Sequence, residues 1–466
     1  MLQRSQMKTE EFRYRTRIEA PAEEVFRWHA RPGALVRLTP PWESVEVIER
    51  TGGINDGDRV VLRLHLGPVS QKWVAEHRDY REGRQFRDIQ REGPFARWEH
   101  THRFEPDGPN ACYLDDRVAY VLPLGALGDK AGGQFVRRRL ERMFHYRHAV
   151  TTADVTAHTR YAQKPLRILV SGTSGLVGSA LVPFLTAGGH QVIRLVRGEP
   201  RPEADEVQWD TARGVLDLPR IEGVDAVVHL AGENIAAGRW TPERKGRIRE
   251  SRVRGTKTLS EALAQLVLPP KVFISASAVG YYGDRGDEIV HEESPPGQNF
   301  LAEVCTAWEG ATEAAERKGI RVVHVRIGLV LSGKGGAMAK MLLPFWLGGG
   351  GSLSSGKQYM SWVSLDDMVG IIHHVLMSET IIGAANAVSP HPVTNSEFTR
   401  TLGTVLHRPT PFAVPAFALR GALGREMADA LLLSSTRVQP RRLIETAYPF
   451  RHPRLGDALR HVLGKT

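Results

Sequence analysis

The sequence predicts two folded parts in tandem: an α+β domain with an antiparallel sheet, then an α/β domain with a doubly wound parallel sheet. Three observations carry this. The first third alternates apolar and polar residues in short runs separated by turn residues, and ends in a long helical pattern. At Arg167–Gly178 a short apolar run meets a glycine-rich turn and then a helical pattern, the opening of a βαβ unit. The 466 residues also exceed one ordinary domain.

In chain order, Phe12–Ile18 alternates as a strand does. Pro21–His29 reads as a helix, with proline and two glutamates in a first turn whose free N–H groups and dipole favour them. Strand-like runs follow at 44–49, 59–66, 71–80, 85–92 and 95–104, with Asn55-Asp-Gly57, Glu82-Gly83 and Asp107-Gly108 supplying turn chemistry. Ala111–Leu122 reads as the last strand. A long helix from Gly133 to about Ala157 closes this part, with Phe135, Leu140, Phe144 and Val150 on its apolar side.

Strand, helix, antiparallel meander and long closing helix is the order of a helix-grip fold. With the opening Ile18-Glu-Ala-Pro-Ala-Glu-Glu-Val-Phe26, this part (residues 1–158, the likeness covering 7–158) resembles the SRPBCC (START-like) superfamily, including its polyketide cyclase and lipid-carrier branches. The resemblance implies an apolar cavity between sheet and helix and a hydrophobic ligand, although fold does not fix function. Trp28, Trp42, Trp73, Phe86, Trp98 and Phe104 are candidate lining residues, with core packing as the alternative for each. The run Arg137–Arg142 reads as the solvated face of the closing helix, with contact to phosphates or acidic lipid as the alternative.

Residues 159–165, Thr159 to Pro165, read as a polar linker. Arg167–Ser171 is then a strand of the kind buried on both faces of a parallel sheet. Gly172, Gly175 and Gly178 punctuate the turn after it. The first allows the sharp turn, the second a close backbone approach to a pyrophosphate, and the third helix packing. The helix from Ser179 to Ala187 directs its N-terminus at the same phosphates. A second strand, Val192–Val196, ends at Arg197, with Arg194 nearby and no carboxylate before Glu199. A guanidinium there pairs with a 2′-phosphate, so NADP is expected rather than NAD, with a solvent-facing arginine as the alternative. Asp210 and Thr211 stand where an acidic side chain reaches an adenine amino group. Ala226–Leu230 reads as the next strand, with His229 a core histidine. Ala231-Gly232 allows a close approach to cofactor, and Glu233 and Asn234 add polar contacts. The basic helix from Arg244 to Arg254 reads as a solvated face.

The segment Lys271-Val-Phe-Ile-Ser-Ala-Ser-Ala-Val-Gly-Tyr-Tyr-Gly283, with the glycine turn and Leu230-Ala-Gly232, resembles the extended short-chain dehydrogenase/reductase superfamily. More closely it is similar to the atypical, epimerase-like (YfcH/SDR39U-like) branch. Further matches include 290–296, 300–305, Trp308-Glu309, Arg326-Ile-Gly328, 335–338, 356–358, 362–367 and 442–445. The resemblance implies a Rossmann-type sheet over 166–400, with a small C-terminal α/β portion over 401–466 covering the substrate. By position it implies Gly172, Thr173, Gly175, Leu176, Val177 and Gly178 at the pyrophosphate, and Arg197 at the 2′-phosphate. It also implies Asp210 and Thr211 at the adenine, Leu230, Ala231, Gly232 and Glu233 near the ribose, and Arg326 to Leu329 beside the nicotinamide.

One departure stands out. The superfamily's catalytic Tyr-x-x-x-Lys pair falls on Leu301 and Cys305 when Glu309 is aligned with the glutamate after that lysine. Leu301 has no proton to give and Cys305 no fixed charge. Ser277, Tyr281 and Tyr282 remain as candidate catalytic residues, with crevice-wall packing as the alternative for the tyrosines. In the last stretch Met341 and Trp346 read as core residues or pocket lining, and Asp366 as the cap of a helix starting at Met368.

Composition narrows the partners. Lys plus Arg number 62 against 52 Asp plus Glu, but no nucleic-acid motif accompanies the excess, so nucleic acid is not expected. Cys112 and Cys305 lack metal-ligand spacing, which argues against disulfides or a zinc site and fits a reducing cytoplasm. No apolar run has membrane-span length, and Met1–Lys8 shows no apolar leader region. Two readings stay open. One is a cytoplasmic NADP-dependent oxidoreductase or epimerase-like protein acting on a small molecule. The other is a non-catalytic NADP(H)- and ligand-binding sensor.

Overall fold

The computed structural model describes residues 9–67, 69–123, 126–161, 164–201, 204–211 and 213–465. Met1–Lys8 and the middle of the expected linker, 162–163, lie outside the described residues. The chain divides into two compact units, one of residues 1–163 with 186–189 and one of residues 164–185 with 190–465.

The N-terminal unit runs β1 (Glu10–Ile18), α1 (Ala22–Ala30), α2 (Ala34–Arg37), β2 (Val45–Thr51), β3 (Arg59–Leu66), β4 (Val69–Arg81), β5 (Gln85–Glu92), β6 (Arg97–Pro106), β7 (Cys112–Val121) and α3 (Ala126–Thr159). The seven strands form one antiparallel sheet in the order β1-β7-β6-β5-β4-β3-β2. Each meander neighbour pairs with the next, and β1 closes against β7.

Helix α3 begins earlier than expected. Its Gly132-Gly133 lies inside the helix, because glycine there costs only about 1 kcal/mol against tertiary packing. Leu140, Phe144 and Val150 are buried as expected, but Phe135 is 68% exposed. Five residues turn a helix about 140° past a whole turn, so Phe135 does not share the face of Leu140. Its neighbour Val136 packs against the core instead.

Trp28, Phe86, Trp98 and Phe104 are buried, and Trp42 and Trp73 half-buried. The rings pack on one another: Trp73 meets Trp98 edge-on with centroids 5.3 Å apart, and Phe26 meets Phe104 at 5.3 Å. The interior is not purely apolar. On β6, Trp98 belongs to one apolar cluster and Phe104 to another, and between them in sequence His100 and His102 point inward. His29, His77, Asp116 and His148 are buried in the same unit. Burial pushes His29 down to about 3 and His100 to about 4. Burial also opposes the charge on His102, but the Asp116 and Asp88 carboxylates outweigh it and push that ring up to about 9.

The C-terminal unit opens with β8 (Arg167–Ser171), α4 (Leu176–Ala187), β9 (Gln191–Val196), β10 (Glu206–Asp210), β11 (Val215–Leu216), α5 (Leu218–Ile221), β12 (Ala226–His229), α6 (Pro242–Gln265) and β13 (Val272–Ala278). After β14 (Ile289–Val290) come α7 (Phe300–Gly310), α8 (Glu313–Arg317) and β15 (Arg321–Ile327). The main sheet has the order β11-β10-β9-β8-β12-β13-β15, completed by the strand Gly383–Ala387. All its pairings are parallel except the short β11 edge. The order runs one way from β8 to β10 and the other way from β12 onward. The topological switch point therefore lies between β8 and β12, at the end of the glycine-turn strand. A buried cluster of Leu169, Leu195, Trp209, Val227, Leu263 and Phe273 holds this half of the sheet against its helices.

Farther on, the helix Leu365–Met377 is capped by Ser364, whose Oγ accepts from Asp367 N at 3.0 Å. Asp366 is not the cap. The strand Trp362–Ser364 runs straight into the helix, and the Asp366 carboxylate lies 2.6 Å from His461 Nε2. Trp346 is 53% exposed and so is not a core residue, while Met341 packs against a cluster of Leu331, Met338, Phe398, Leu402 and Leu459. The segment after residue 400 thus shares one core with residues 331–345.

Candidate functional site

Every expected cofactor residue lies at or just beyond the carboxyl end of a main-sheet strand. The turn after β8 is built by backbone constraint. Gly172 has φ +70°, and a Cβ on it would lie 2.7 Å from Leu230 C and 2.8 Å from Ala231 N. Only glycine fits there, and its closeness brings the 172–178 turn against the 230–233 segment after β12. A Cβ on Gly178 would press on Gly172 O and sit 2.8 Å from Thr173 Cα. Gly175 N donates to Gly172 O at 3.0 Å, closing the turn. Helix α4 then starts at Leu176, three residues earlier than expected, so Leu176, Val177 and Gly178 form its first turn. First-turn N–H groups of a helix have no intrahelical acceptor and are free to bind an anion.

Beneath the turn, Ser171 Oγ lies 2.6 Å from His229 Nδ1, and burial pushes His229 down to about 4, so it is a neutral core ring. Arg197 is exposed just past the end of β9. Asp210 ends β10 and accepts from Arg213 N at 3.1 Å, with Thr211 beside it.

Glu233 is more constrained than expected. Its carboxylate lies 3.4 Å from Arg244 and 3.5 Å from Arg247, and its carbonyl accepts from Arg252 Nη2 at 3.0 Å. Arg252 also stacks 5.1 Å above Trp308. The basic helix is therefore not only a solvated face: Arg244 and Arg252 hold the 231–234 segment in place.

The β13 end carries a linked polar network. Ser277 is 2% exposed and donates through Oγ to Glu309 Oε1 at 2.7 Å. Glu309 accepts Arg326 Nε at 2.9 Å on that oxygen and Arg326 Nη2 at 2.8 Å on the other, a bidentate pair nearly out of solvent. Arg326 Nη1 donates to Tyr282 OH at 3.0 Å, and Tyr282 OH donates to Asn386 Oδ1 at 2.7 Å. Tyr282 is fully buried, and burial pushes its phenol up to about 12. Tyr281 is half-buried, with the Arg326 guanidinium 3.5 Å from its ring centre.

Leu301 and Cys305 stand one turn apart on α7 against the same strand end. A Cβ on Gly280 would lie 3.2 Å from Leu301 Cβ, and Cys305 Sγ lies 3.7 Å from Ala278 O. Burial pushes Cys305 up to about 11, so it carries no charge near neutral pH. Leu329 opens the short strand after β15 and is half-buried.

Sequence reasoning used Glu309 only as an alignment anchor and left Arg326 without a partner. A lone arginine in the apolar run Arg321-Val-Val-His-Val-Arg-Ile327 was the available signal, since a buried guanidinium demands a carboxylate. Asn386, fully buried on the edge strand, carried no sequence signal.

Residues 168–384 match the NAD dependent epimerase/dehydratase family, residues 414–462 a domain of unknown function (DUF1731), and residues 18–144 the family of polyketide cyclase / dehydrase and lipid transport. An epimerase family protein of Mycobacterium leprae is 41% identical over 298 residues, covering 64% of this chain and 96% of that one. A crystal structure of a nucleoside-diphosphate sugar epimerase from Corynebacterium glutamicum aligns over 97% of this chain and 90% of its own, at TM-score 0.81 and 34% identity. The human epimerase family protein SDR39U1, crystallised with NADPH, aligns over 64% of this chain and 99% of its own, at TM-score 0.58 and 35% identity. No helix among the described residues is long and apolar enough to cross a membrane. With its glycine cradle at the strand-order switch and relatives matched over nearly their whole length, the chain belongs to the SDR39U1-type epimerase family, carrying an SRPBCC-type domain in front.

Proposed function

We propose that the chain binds NADP(H) across the ends of β8 and β12 and acts as an NADP(H)-dependent oxidoreductase or epimerase-like protein on a small molecule. The observation that carries this is the glycine turn: at Gly172 and Gly178 no side chain fits, so the 172–178 turn packs its backbone directly on residues 230–231 and on itself, with the first turn of α4 starting at Leu176. A pyrophosphate is the group that uses such an approach. The NADPH of the human relative supports the same reading.

Gly172, Thr173, Gly175, Leu176, Val177 and Gly178 would hold the pyrophosphate, and Arg197 the 2′-phosphate. Asp210 and Thr211 would hold the adenine and Leu230–Glu233 the ribose, with Leu329 beside the nicotinamide. When bound, the nicotinamide supplies a hydride donor or acceptor. This chain's part is to hold the substrate oxygen and move a proton. Ser277 Oγ bonds that oxygen and passes a proton to or from Glu309 Oε1, already 2.7 Å away. Arg326 holds the carboxylate in plane by two parallel bonds. Of the two phenols, Tyr281 keeps accessible surface and stands as the second proton-transfer group. Tyr282 is a positioning residue, its hydroxyl committed to Arg326 and Asn386. A hydrophobic ligand in the N-terminal unit belongs to the same proposal and rests on the polyketide cyclase and lipid transport match.

One observation favours a second reading, a protein that holds NADP(H) and a ligand without turnover. Leu301 and an uncharged Cys305 occupy the α7 face where a proton donor and a cation would stand. The two readings separate in one experiment. The purified chain is mixed with NADPH or NADP⁺ and a panel of aldehydes, ketones and nucleoside-diphosphate sugars, and both cofactor oxidation or reduction and conversion of the substrate are followed. Turnover that falls about 10²–10⁴-fold in Ser277→Ala supports the first. Calorimetric NADPH binding with neither cofactor turnover nor substrate conversion supports the second. Absence of NADPH binding overturns both.

A further inference from the structure

The inward faces of four neighbouring strands place a set of metal-ligand side chains side by side in the N-terminal unit. His77 on β4 pairs across with Asp88 on β5, Asp88 with His100 on β6, and His102 with Asp116 on β7. His100 and His102 are two residues apart and so share a face. Their ring nitrogens divide into two sets. On one side, His100 Nε2 lies 3.1 Å and His102 Nδ1 2.6 Å from Asp116 Oδ1, while His148 Nε2 lies 2.8 Å from Asp116 Oδ2. On the other, His102 Nε2 lies 3.3 Å and His100 Nδ1 3.6 Å from Asp88 Oδ2. The donor atoms of Asp88, His100 and His102 all lie within 4.8 Å of one another.

We propose that Asp88, His100 and His102 form a binding site for a divalent metal of the zinc class, with Asp116 fixing both rings from behind. Three features argue for an ion over a closed hydrogen-bond network. First, ligand atoms on a tetrahedral zinc with bonds of about 2.0–2.1 Å are separated by about 3.3 Å, close to the two distances at Asp88 and long for a direct N–H···O bond. Second, His77 Nδ1 lies 2.6 Å from Asp88 Oδ1 and so holds that carboxylate with its other oxygen turned to His100 and His102. A ligating carboxylate is in turn held by such a partner. Third, a metal-binding imidazole characteristically gives its other nitrogen to a carboxylate, which is what Asp116 provides for two rings at once.

Two imidazoles and one carboxylate suit a borderline divalent ion, whose charge balances Asp88 and Asp116 together. They leave a fourth position open for an oxygen-donor ligand. Asp88 keeps 22% of its side chain exposed, which gives an entry path. The low cysteine count pointed away from a zinc site because these ligands are histidines and an aspartate spread over residues 88–102.

The test uses the full chain, stripped with chelator and titrated with Zn²⁺ by calorimetry, then loaded with Co²⁺ and read by visible absorption. One tightly bound equivalent is expected in the N-terminal unit, with the intense ligand-field bands of a four-coordinate cobalt ion. His102→Gln and Asp88→Asn each remove that equivalent. Asp116→Asn weakens it about 10–100-fold while leaving the stoichiometry unchanged. His452→Gln is the control: it alters a separate Asp/His grouping (Asp366, His452, His461) and leaves this equivalent in place. The proposal is overturned if the wild-type chain takes up no Zn²⁺ at micromolar concentration, if His102→Gln binds as wild type does, or if the loaded chain shows only the weak bands of hexa-aqua-like cobalt. The last readout needs no variant and decides the matter even where a substituted chain fails to fold.

Discussion

Ser277 donates its hydroxyl to Glu309 Oε1 across 2.7 Å, and that same oxygen accepts Arg326 Nε at 2.9 Å. A serine on β13 and a carboxylate on the following helix are thus tied to a cation on the next strand. The arrangement fixes the serine lone pairs and gives its proton a defined destination. It also makes Arg326 structurally costly to lose. Removing one partner of a buried pair leaves an uncompensated charge and costs about 3–5 kcal/mol. Arg326→Met should lower the free energy of unfolding by that amount, and adding Glu309→Met should recover part of it. Urea denaturation of both variants checks this. A single variant within 1 kcal/mol of wild type, on roughly the scale of an exposed pair, would show that the pair is not buried in solution.

The glycine cradle gives a second expectation. Gly172→Ala puts a Cβ at φ +70° and within 2.8 Å of Ala231 N. The left-handed conformation alone costs about 1–2 kcal/mol, and the backbone contact adds to it. NADPH affinity should fall at least tenfold, or about 1.4 kcal/mol. Gly223→Ala, also at positive φ but with open space around its Cβ, should lose stability without losing affinity. Equal NADPH affinities for the two variants would remove the cradle from the binding site.

Arg197 stands exposed just beyond β9, next to no carboxylate in sequence before Glu199. Its guanidinium should make NADP(H) bind at least tenfold better than NAD(H), about 1.4 kcal/mol. Arg197→Ala should lose that margin for NADP(H) and change NAD(H) little. Calorimetry with both cofactors decides, and equal losses for the two would assign Arg197 to the shared pyrophosphate instead.

These features differ in how far the sequence disclosed them. The turn at Gly172–Gly178 was legible because residue type itself encodes a close backbone approach. The parallel sheet was legible because its strands are short and apolar throughout. The Glu309–Arg326 pair was not, since its partners lie on different elements and only packing brings them together. His100 and His102 look in sequence like any alternating strand residues; periodicity finds two faces but does not say which is inward when both carry polar groups. The Phe135 error has a related cause, since one apolar residue at the frayed side of a helical stripe does not report its own angle.

Two compact units, the second made of residues 164–465 apart from 186–189, predict separability. A fragment beginning at Lys164 should fold and bind NADP(H) within about threefold of the full chain, since every candidate cofactor residue lies beyond that point. Cooperative thermal unfolding and calorimetry check it. An insoluble or cofactor-free fragment would mean that the N-terminal unit completes the core or the site.

Cys305 gives the last prediction. Its thiol is buried against Ala278 O, and burial pushes it from an ordinary 9.0 up to about 11. A folded-state value above the unfolded one means that the neutral thiol favours folding. That contribution is complete below about pH 9 and is lost as pH rises through about 11, because the unfolded chain ionises first. The two values differ by an amount worth roughly 2–3 kcal/mol. The urea midpoint of the wild-type chain should therefore fall between pH 9 and pH 11. Cys305→Ala should show a shallower fall over the same window, whatever its loss at neutral pH. Alkylation follows the same logic: the thiolate is the nucleophile, so iodoacetamide at pH 8 should leave Cys305 unmodified in the folded chain and label it in urea. Labelling of the folded chain at the rate of a free thiol would show instead that Cys305 is ionised and accessible. The α7 face would then carry a negative charge, the opposite of the cation that the turnover reading lacks.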